Sequence, residues 1–436
     1  MRVALLYPEV YDVARFKERR REFPPFGVLY LAAVIEEAGH AVGIKKVTPE
    51  LTSFDLTDYD AVGFSVSASA TYDSMLEARV RSSVRPDALM MVGGVHCSFY
   101  PEETLLAFDA DVAVVGEAEG TILELLNRAE GKQFNGVPGT LWWDREAIRH
   151  EARSRLIADI DQLPVPARHL LPVDDLIMSD RLAGTDTRMT HVMFSRGCPF
   201  PCSFCAAAQT KIQYRSGASA RKELTHLIDR YGIEGFAVAD DNFVVNKRKV
   251  SDICAAISDL RLRWSALSRV DTVGTELLGQ MAKAGCIEIK YGMESGSERL
   301  LRAMKKNTTR AQIERAIRET VRAGIAAKVF IIHGFPGENM ETTLETIGLL
   351  KELGSDIARV SVFRFVPLPG AEVYEEAEKY GVFGTHHQPD WDGDWSKFHI
   401  HHNDRHWWGT TKEWAETQES YRFLISFVED RWNAQS

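Results

Sequence analysis

Three thiols crowd into one short stretch, Ser-Arg-Gly-Cys-Pro-Phe-Pro-Cys-Ser-Phe-Cys over residues 195–205, at Cys198, Cys202 and Cys205. Thiolates are the ligands that soft metals select, so the spacing C-x3-C-x2-C points to zinc or to an iron–sulfur cluster. A structural zinc site needs a fourth ligand close by, and the flanking residues offer no second pair. A cubane held by three protein thiolates instead keeps one iron open for a substrate or cofactor. As core filling the arrangement is poor, because Gly197, Pro199 and Pro201 make a turn-rich loop rather than an apolar face.

The elements around this loop have to place it. Residues 190–194 are mostly apolar and read as a short buried strand that delivers the cysteines at its end. Strand-like runs then alternate with helical patterns at 235–239, 264–267, 287–291, 327–332 and 360–365. Parallel strands joined by crossover helices make a partial (β/α)6 barrel, whose reactive face lies at the carboxyl ends of the strands. Those ends carry Asp240 and Asp241, then Arg269, then Glu294 and Ser295, then Gly334 and Glu338; the sixth end is apolar and proline-rich. Each carboxylate also has a plain reading as a helix N-cap or surface ion pair.

A second alternating region precedes the barrel. Residues 3–7, 41–47, 61–66, 88–92 and 112–115 read as five near-continuous apolar strands, with helical patterns between them. That pattern means a Rossmann-like parallel sheet covered on both faces, and such sheets bind ligands beyond the carboxyl ends of their strands. Ser65, Gly93, Gly94, His96, Gly116 and Glu117 fall at those ends. His96 equally reads as a residue that ties its loop together, and Cys97 as packing. The fold class is therefore α/β: a sheet domain over 1–150, a proline-punctuated linker over 151–188, the barrel over 189–375 and a short C-terminal extension over 376–436. A hairpin is expected at 136–144. The charge run at 15–22 reads as solvated.

The extension changes composition. His386, His387, His399, His401, His402 and His406 are interleaved with Trp391, Trp395, Trp407, Trp408 and several aspartates. No clear helix aligns the histidines for a metal. The stretch reads either as a substrate lid for a polar, cationic or sugar-like molecule or as a cover packing its tryptophans on the barrel. Residues 412–431 are amphipathic and read as a closing helix.

Composition narrows the classes. With 45% hydrophobic and 26% charged residues in 436, the chain is an ordinary globular one, long enough for two domains. Six cysteines, three of them clustered, do not make a disulfide framework and fit a reducing cytoplasm. No apolar run is long enough to cross a membrane. A formal charge of −10 argues against bulk nucleic-acid binding.

With these residues in view, the chain resembles the radical S-adenosylmethionine (SAM) superfamily, in its branch with a cobalamin-binding domain. The cysteine loop and the ordered strand ends carry the resemblance in the barrel. Pro24-Pro25-Phe26-Gly27, Gly93-Gly94-x-His96 and Gly116-Glu117-x-Glu119 carry it in the sheet domain. The resemblance implies a 4Fe-4S cluster on Cys198, Cys202 and Cys205 with SAM on its open iron. It also implies a Phe204 backbone near the adenine, Glu294 on the ribose hydroxyls, and residues 332–338 beside the adenine. Asp240, Asp241 and Arg269 would then contact SAM or substrate, and an electron would come from a flavodoxin or ferredoxin. One-electron cleavage of SAM gives methionine and a 5′-deoxyadenosyl radical that removes hydrogen from an unreactive carbon. Cobalamin would sit on the strand-end loops of the first domain, with methylation the usual outcome. One departure stands out: there is no Asp-x-His-x-x-Gly stretch, so no histidine is marked as a lower cobalt ligand. A rival use of the same frame is cobalamin-free dehydration, epimerisation or rearrangement of a sugar-like or aminoglycoside-like substrate. Antibiotic or other specialised metabolism follows from the architecture alone.

Overall fold

The computed structural model describes residues 1–9, 24–48, 53–152, 157–182, 185–383, 393–398 and 405–433. The charge run at 15–22 and the tail residues His386, His387, Trp391, His399, His401 and His402 lie outside them. The chain divides into two compact units, Met1–Leu176 with Asp394–Phe398, and Ile177–Gly393 with His399–Ser436.

The first unit is built on β1 (Arg2–Pro8), β2 (Ala41–Val47), β3 (Ala61–Ser65), β4 (Leu89–Gly93), β5 (Val112–Val114), β6 (Thr140–Asp144) and β7 (Ala147–His150). They pair in the order β2-β1-β3-β4-β5-β6-β7, the first five parallel and the last two antiparallel. The apolar run Val3–Tyr7 is buried on both faces, as a central parallel strand requires. The helix Phe26–Glu37 starts after Pro24-Pro25, where the missing proline N–H costs nothing, and turns Leu29, Ala33 and others inward. Strand order reverses at β1 and β3, which opens a crevice at their carboxyl ends. The hairpin forms β6 and β7 and finishes one edge of the sheet. Gly94 has φ +104° and an added Cβ would stand 2.5 Å from the Val66 carbonyl, so only glycine lets the β4 end close on the β3 end. The helix Val95–Phe99 follows at once, so His96 and Cys97 are helical rather than loop residues.

The second unit carries β8 (Met178–Leu182), β9 (Thr185–Val192), β10 (Gly235–Val238), β11 (Arg263–Ser268), β12 (Cys286–Glu294), β13 (Ala326–His333) and β14 (Ile357–Arg364). Their order is sequential, and β9 to β14 are all parallel, giving the partial (β/α)6 barrel. The first barrel strand runs over Thr185–Val192 rather than 190–194. It is flanked by antiparallel β8, inside the stretch that reads as linker. Thr185, Asp186, Thr187 and Arg188 hide its start behind polar residues. Along β13, Ala327, Val329, Ile331 and His333 are buried while Ala326, Lys328, Phe330 and Ile332 stay half-buried. The buried set faces the helices: on β12, Tyr291 shares a hydrogen bond of 2.7 Å with Thr320 of the helix Arg310–Arg322. The other set lines the concave interior.

Candidate functional site

The cysteine loop leaves β9 through the pair Ser195–Arg196, which makes a short antiparallel ribbon with Gln213–Tyr214. Its neck is closed by backbone and side-chain bonds: the Cys198 N–H donates to Thr210 Oγ1 at 2.8 Å, and the Thr210 N–H donates to the Cys198 carbonyl at 2.9 Å. Cys202 is buried, whereas Cys198 and Cys205 are half-buried. Among the described residues no group of three His, Cys, Asp or Glu side chains converges on a single metal ion. A cubane needs no common centre, because its thiolates each sit on a different iron. Burial raises the Cys202 thiol while Lys306 and Arg269 pull it down. Two cations are thus in place to offset the thiolates that metal binding requires.

Arg269 is bound at every nitrogen. It forms a fork on Asp271 (Nε–Oδ1 2.9 Å, Nη2–Oδ2 2.7 Å), donates from Nη2 to the Lys306 carbonyl at 2.7 Å, and donates from Nη1 to Cys202 Sγ at 3.3 Å. Its guanidinium lies 4.0 Å from the Phe200 ring centroid. These contacts make it a clamp on the cysteine loop. Lys306 continues the chain, its Nζ 2.8 Å from Glu294 Oε1, with both side chains less than a tenth exposed. Glu294 has φ +63° at a register shift between β12 and β13, a backbone state that costs about 1 kcal/mol outside glycine. Gly292 leaves room for the pair: an added Cβ would collide with Glu294 Oε1 and stand 2.8 Å from Lys306 Nζ. The strand end is thus shaped to hold one carboxylate in a fixed place, a good acceptor for vicinal hydroxyls.

The other strand-end residues separate into those that shape the site and those open to it. Asp240 is buried and receives the Phe194 N–H at 2.9 Å and the Ser195 hydroxyl at 2.6 Å, so it clasps the start of the cysteine loop; burial pushes it up to about 7. Asp241 is exposed and faces the Gly197 N–H. Phe204 is half-buried. Ser295 is turned to Thr346 at 3.2 Å. Glu338 is buried, accepts from Gly334 N and Thr342 Oγ1, and is pushed up by burial to about 7. The Gly334 carbonyl takes the indole N–H of Trp408 at 2.6 Å, and Trp407 is buried beside Phe383. These two tail tryptophans therefore pack on the barrel rather than forming an open lid.

In the first unit a small, largely apolar cleft of about 60 Å³ lies at the carboxyl ends of the sheet, lined among others by Ser65, Gly93, Gly94, Gly116 and Ala118. The small residues at these positions keep the strand ends open, and the walls are apolar. Glu117 adjoins the cleft without lining it. His96 is not on it: the ring is fully buried among Tyr72, Tyr100 and Trp395, with Nδ1 3.0 Å from Ser69 Oγ, and burial lowers it to about 4. Cys97 is likewise buried packing. Trp395 comes from the tail segment Asp394–Phe398, which belongs to this unit.

A half-barrel with a three-cysteine loop after its first strand and a buried carboxylate, Glu294, at the end of its fourth has the arrangement of a radical SAM fold. The comparisons agree. Residues 192–350 match the radical SAM superfamily and residues 14–126 match the B12 binding domain. An uncharacterized methyltransferase of Pyrococcus horikoshii is 32% identical over 367 residues, covering 81% of this chain and 78% of that one. The anaerobic magnesium-protoporphyrin IX monomethyl ester cyclase of Rubrivivax gelatinosus is 26% identical over 405 residues, covering 88% and 71%. The structure of the radical SAM methyltransferase TsrM from Kitasatospora setae, with cobalamin and an iron–sulfur cluster bound, superposes with a TM-score of 0.70 at 18% identity, covering 98% of this chain and 88% of that one. The chain belongs to the radical SAM superfamily, in the branch with a B12-binding domain, and is an enzyme of that type.

Sequence spacing put the cysteines, Glu294 and the glycines of the cleft at strand ends, and they stand there. It missed the parts that Lys306, Asp271 and Phe200 play: Lys306 carries no motif, and although Phe200 sits inside the C-x3-C gap, its stacking on Arg269 has no local signature.

Proposed function

We propose that the protein is a cobalamin-dependent radical SAM methyltransferase acting on a small metabolite of specialised metabolism. One observation carries this reading: Cys202, Arg269, Lys306 and Glu294 form a single connected chain, so the cysteine loop and the carboxylate for the ribose are held in one frame. When bound, the cluster with SAM supplies one-electron bond cleavage, and the corrinoid supplies a transferable methyl group. The chain's own residues do the rest. Cys198, Cys202 and Cys205 hold the cluster, Glu294 holds the ribose, and the Phe204 and Gly334 backbones approach the adenine. Arg269 keeps the loop in register, and Asp241 remains available at the strand end. Ser65, Gly93, Gly94 and Gly116 face the corrinoid in domain 1–150, while Trp407 and Trp408 of the extension 376–436 pack on the barrel of 189–375. A flavodoxin- or ferredoxin-type protein supplies the electron.

The test is anaerobic purification after growth with hydroxocobalamin, followed by metal analysis and incubation with SAM and a reductant. Iron, sulfide and cobalt in the protein, with release of both S-adenosylhomocysteine and 5′-deoxyadenosine, are expected. Iron–sulfur absorption without cobalt would refute methylation, and no iron–sulfur signal after reconstitution would refute the enzyme reading altogether.

A further inference from the structure

We infer that Arg269 sets the reduction potential of the iron–sulfur cluster through its hydrogen bond to Cys202. The role rests on the proposed function only for the cluster, not for methyl transfer. Three thiolates bring negative charge to the iron core, and reduction adds one more electron to it. A cation on a ligand sulfur therefore favours the reduced state, and hydrogen bonds to the sulfurs are a lever on such potentials. Arg269 Nη1 donates to Cys202 Sγ at 3.3 Å, and both residues are less than a tenth exposed. With the cluster bound, that sulfur is a thiolate on iron, so the contact becomes a charge-assisted bond. Cys205 is placed differently: the Ala207 N–H and the Asp241 carboxylate face it.

Arg269 is held so that it cannot turn away from the sulfur. Asp271 takes its Nε–Nη2 edge, the Lys306 carbonyl takes a second bond from Nη2, and Phe200 lies against the guanidinium face. A charge fixed in advance needs no rearrangement when the electron arrives. Asp271 does not cancel it. The Asp271 side chain is 21% exposed against 6% for Arg269, so water screens the carboxylate more than the cation. Holding a loop in register needs only a neutral donor. Burying a guanidinium against a sulfur is costly unless that sulfur carries charge.

The experiment is a redox titration of the full-length protein with its cluster reconstituted, followed by EPR of the reduced state. SAM is left out, since a ligand on the open iron would move the potential by itself. Arg269→Gln is expected to disfavour reduction about tenfold, which lowers the potential of a one-electron couple by about 59 mV. Arg269→Lys keeps a cation and should fall between that variant and the parent. Phe200→Leu loosens the same clamp without changing any charge and should stay within about twofold of the parent equilibrium. An unchanged potential in Arg269→Gln, or an equal drop in Phe200→Leu, would overturn the inference. Should Arg269→Gln assemble no cluster, the parent decides. With arginine carrying heavy nitrogen at its guanidino positions, pulsed EPR of the reduced cluster should show coupling to that nitrogen, and its absence would overturn the inference. Missing cobalt or methylated product would count against methyl transfer alone and leaves the potential measurement untouched.

Discussion

Removing the Lys306 ammonium should damage the barrel through the carboxylate it leaves behind. Lys306 Nζ and Glu294 Oε1 are 2.8 Å apart, with side chains 6% and 8% exposed. At that distance and an effective dielectric near 20 the attraction is roughly 6 kcal/mol, offset by the desolvation of both groups. Lys306→Met removes the attraction and keeps the desolvation of Glu294, which typically costs about 3–5 kcal/mol. For a unit of this size that lowers the melting temperature by roughly 6–20 °C. Calorimetry of the anaerobically reconstituted protein measures it. The double variant Lys306→Met with Glu294→Met removes both charges and should recover most of the loss, because an apolar pair of similar volume does well where an orphan charge does not. SAM affinity, followed by equilibrium dialysis, should nevertheless fall at least tenfold in the double variant, since the hydroxyl acceptor is gone. A Lys306→Met protein melting within about 2 °C of the parent, or a double variant as damaged as the single one, would refute the reasoning.

Gly292→Ala should act on function more than on stability. Its Cβ meets the flexible ends of Glu294 and Lys306 rather than backbone, so the pair shifts and SAM binding weakens several-fold while the melting temperature barely moves. Gly94→Ala, which meets the Val66 backbone in a left-handed conformation, should instead destabilise the first unit by about 1–3 kcal/mol and reduce corrinoid uptake, read from calorimetry and cobalt content. Glu338 has a folded pKa of about 7, raised by burial against the pull of Arg299 and its threonine partners, so the unfolded state ionises first and stability falls as pH rises from about 4.5 to 7. Glu338→Gln, whose amide can serve the same Thr342 and Gly334 contacts, should therefore raise the melting temperature at pH 8 and leave it nearly unchanged at pH 4. Trp395→Ala should free the segment Asp394–Phe398 from Tyr72, His96 and Tyr100, detected as faster proteolysis there and as a rise of the His96 pKa from about 4 towards its ordinary value by histidine NMR.

Much of this organisation was legible in the sequence because parallel strands and their ends leave plain marks. Apolar runs such as Val3–Tyr7 announce central strands, and small or charged residues after them announce a ligand face. The structure departs from that reading where side chains reach across. Arg269 stands at a strand end like a ligand-binding residue, yet Asp271 is two residues away and fixes it as a clamp on Cys202. His96 follows a glycine pair like a cofactor contact, yet a tail tryptophan more than two hundred residues later completes the box that buries it. β9 begins in Thr-Asp-Thr-Arg because its first residues pair with the antiparallel strand β8, which lies outside the parallel repeat. Long-range partners of this kind have no local signature.

The same period-two alternation that secures the barrel also explains why its chemistry sits on one side. Along β12 to β14 one set of side chains is driven into the helices, and this set carries the stability: Tyr291, Val329, Ile331 and Val360 are buried there. The opposite set contributes little burial and is free to hold costly groups. It is there, and at the strand ends above, that the costly features collect: the buried carboxylate Glu288, the left-handed Glu294 and the room kept by Gly292. A chain selected for stability alone would fill the concave face with apolar side chains, as complete barrels do.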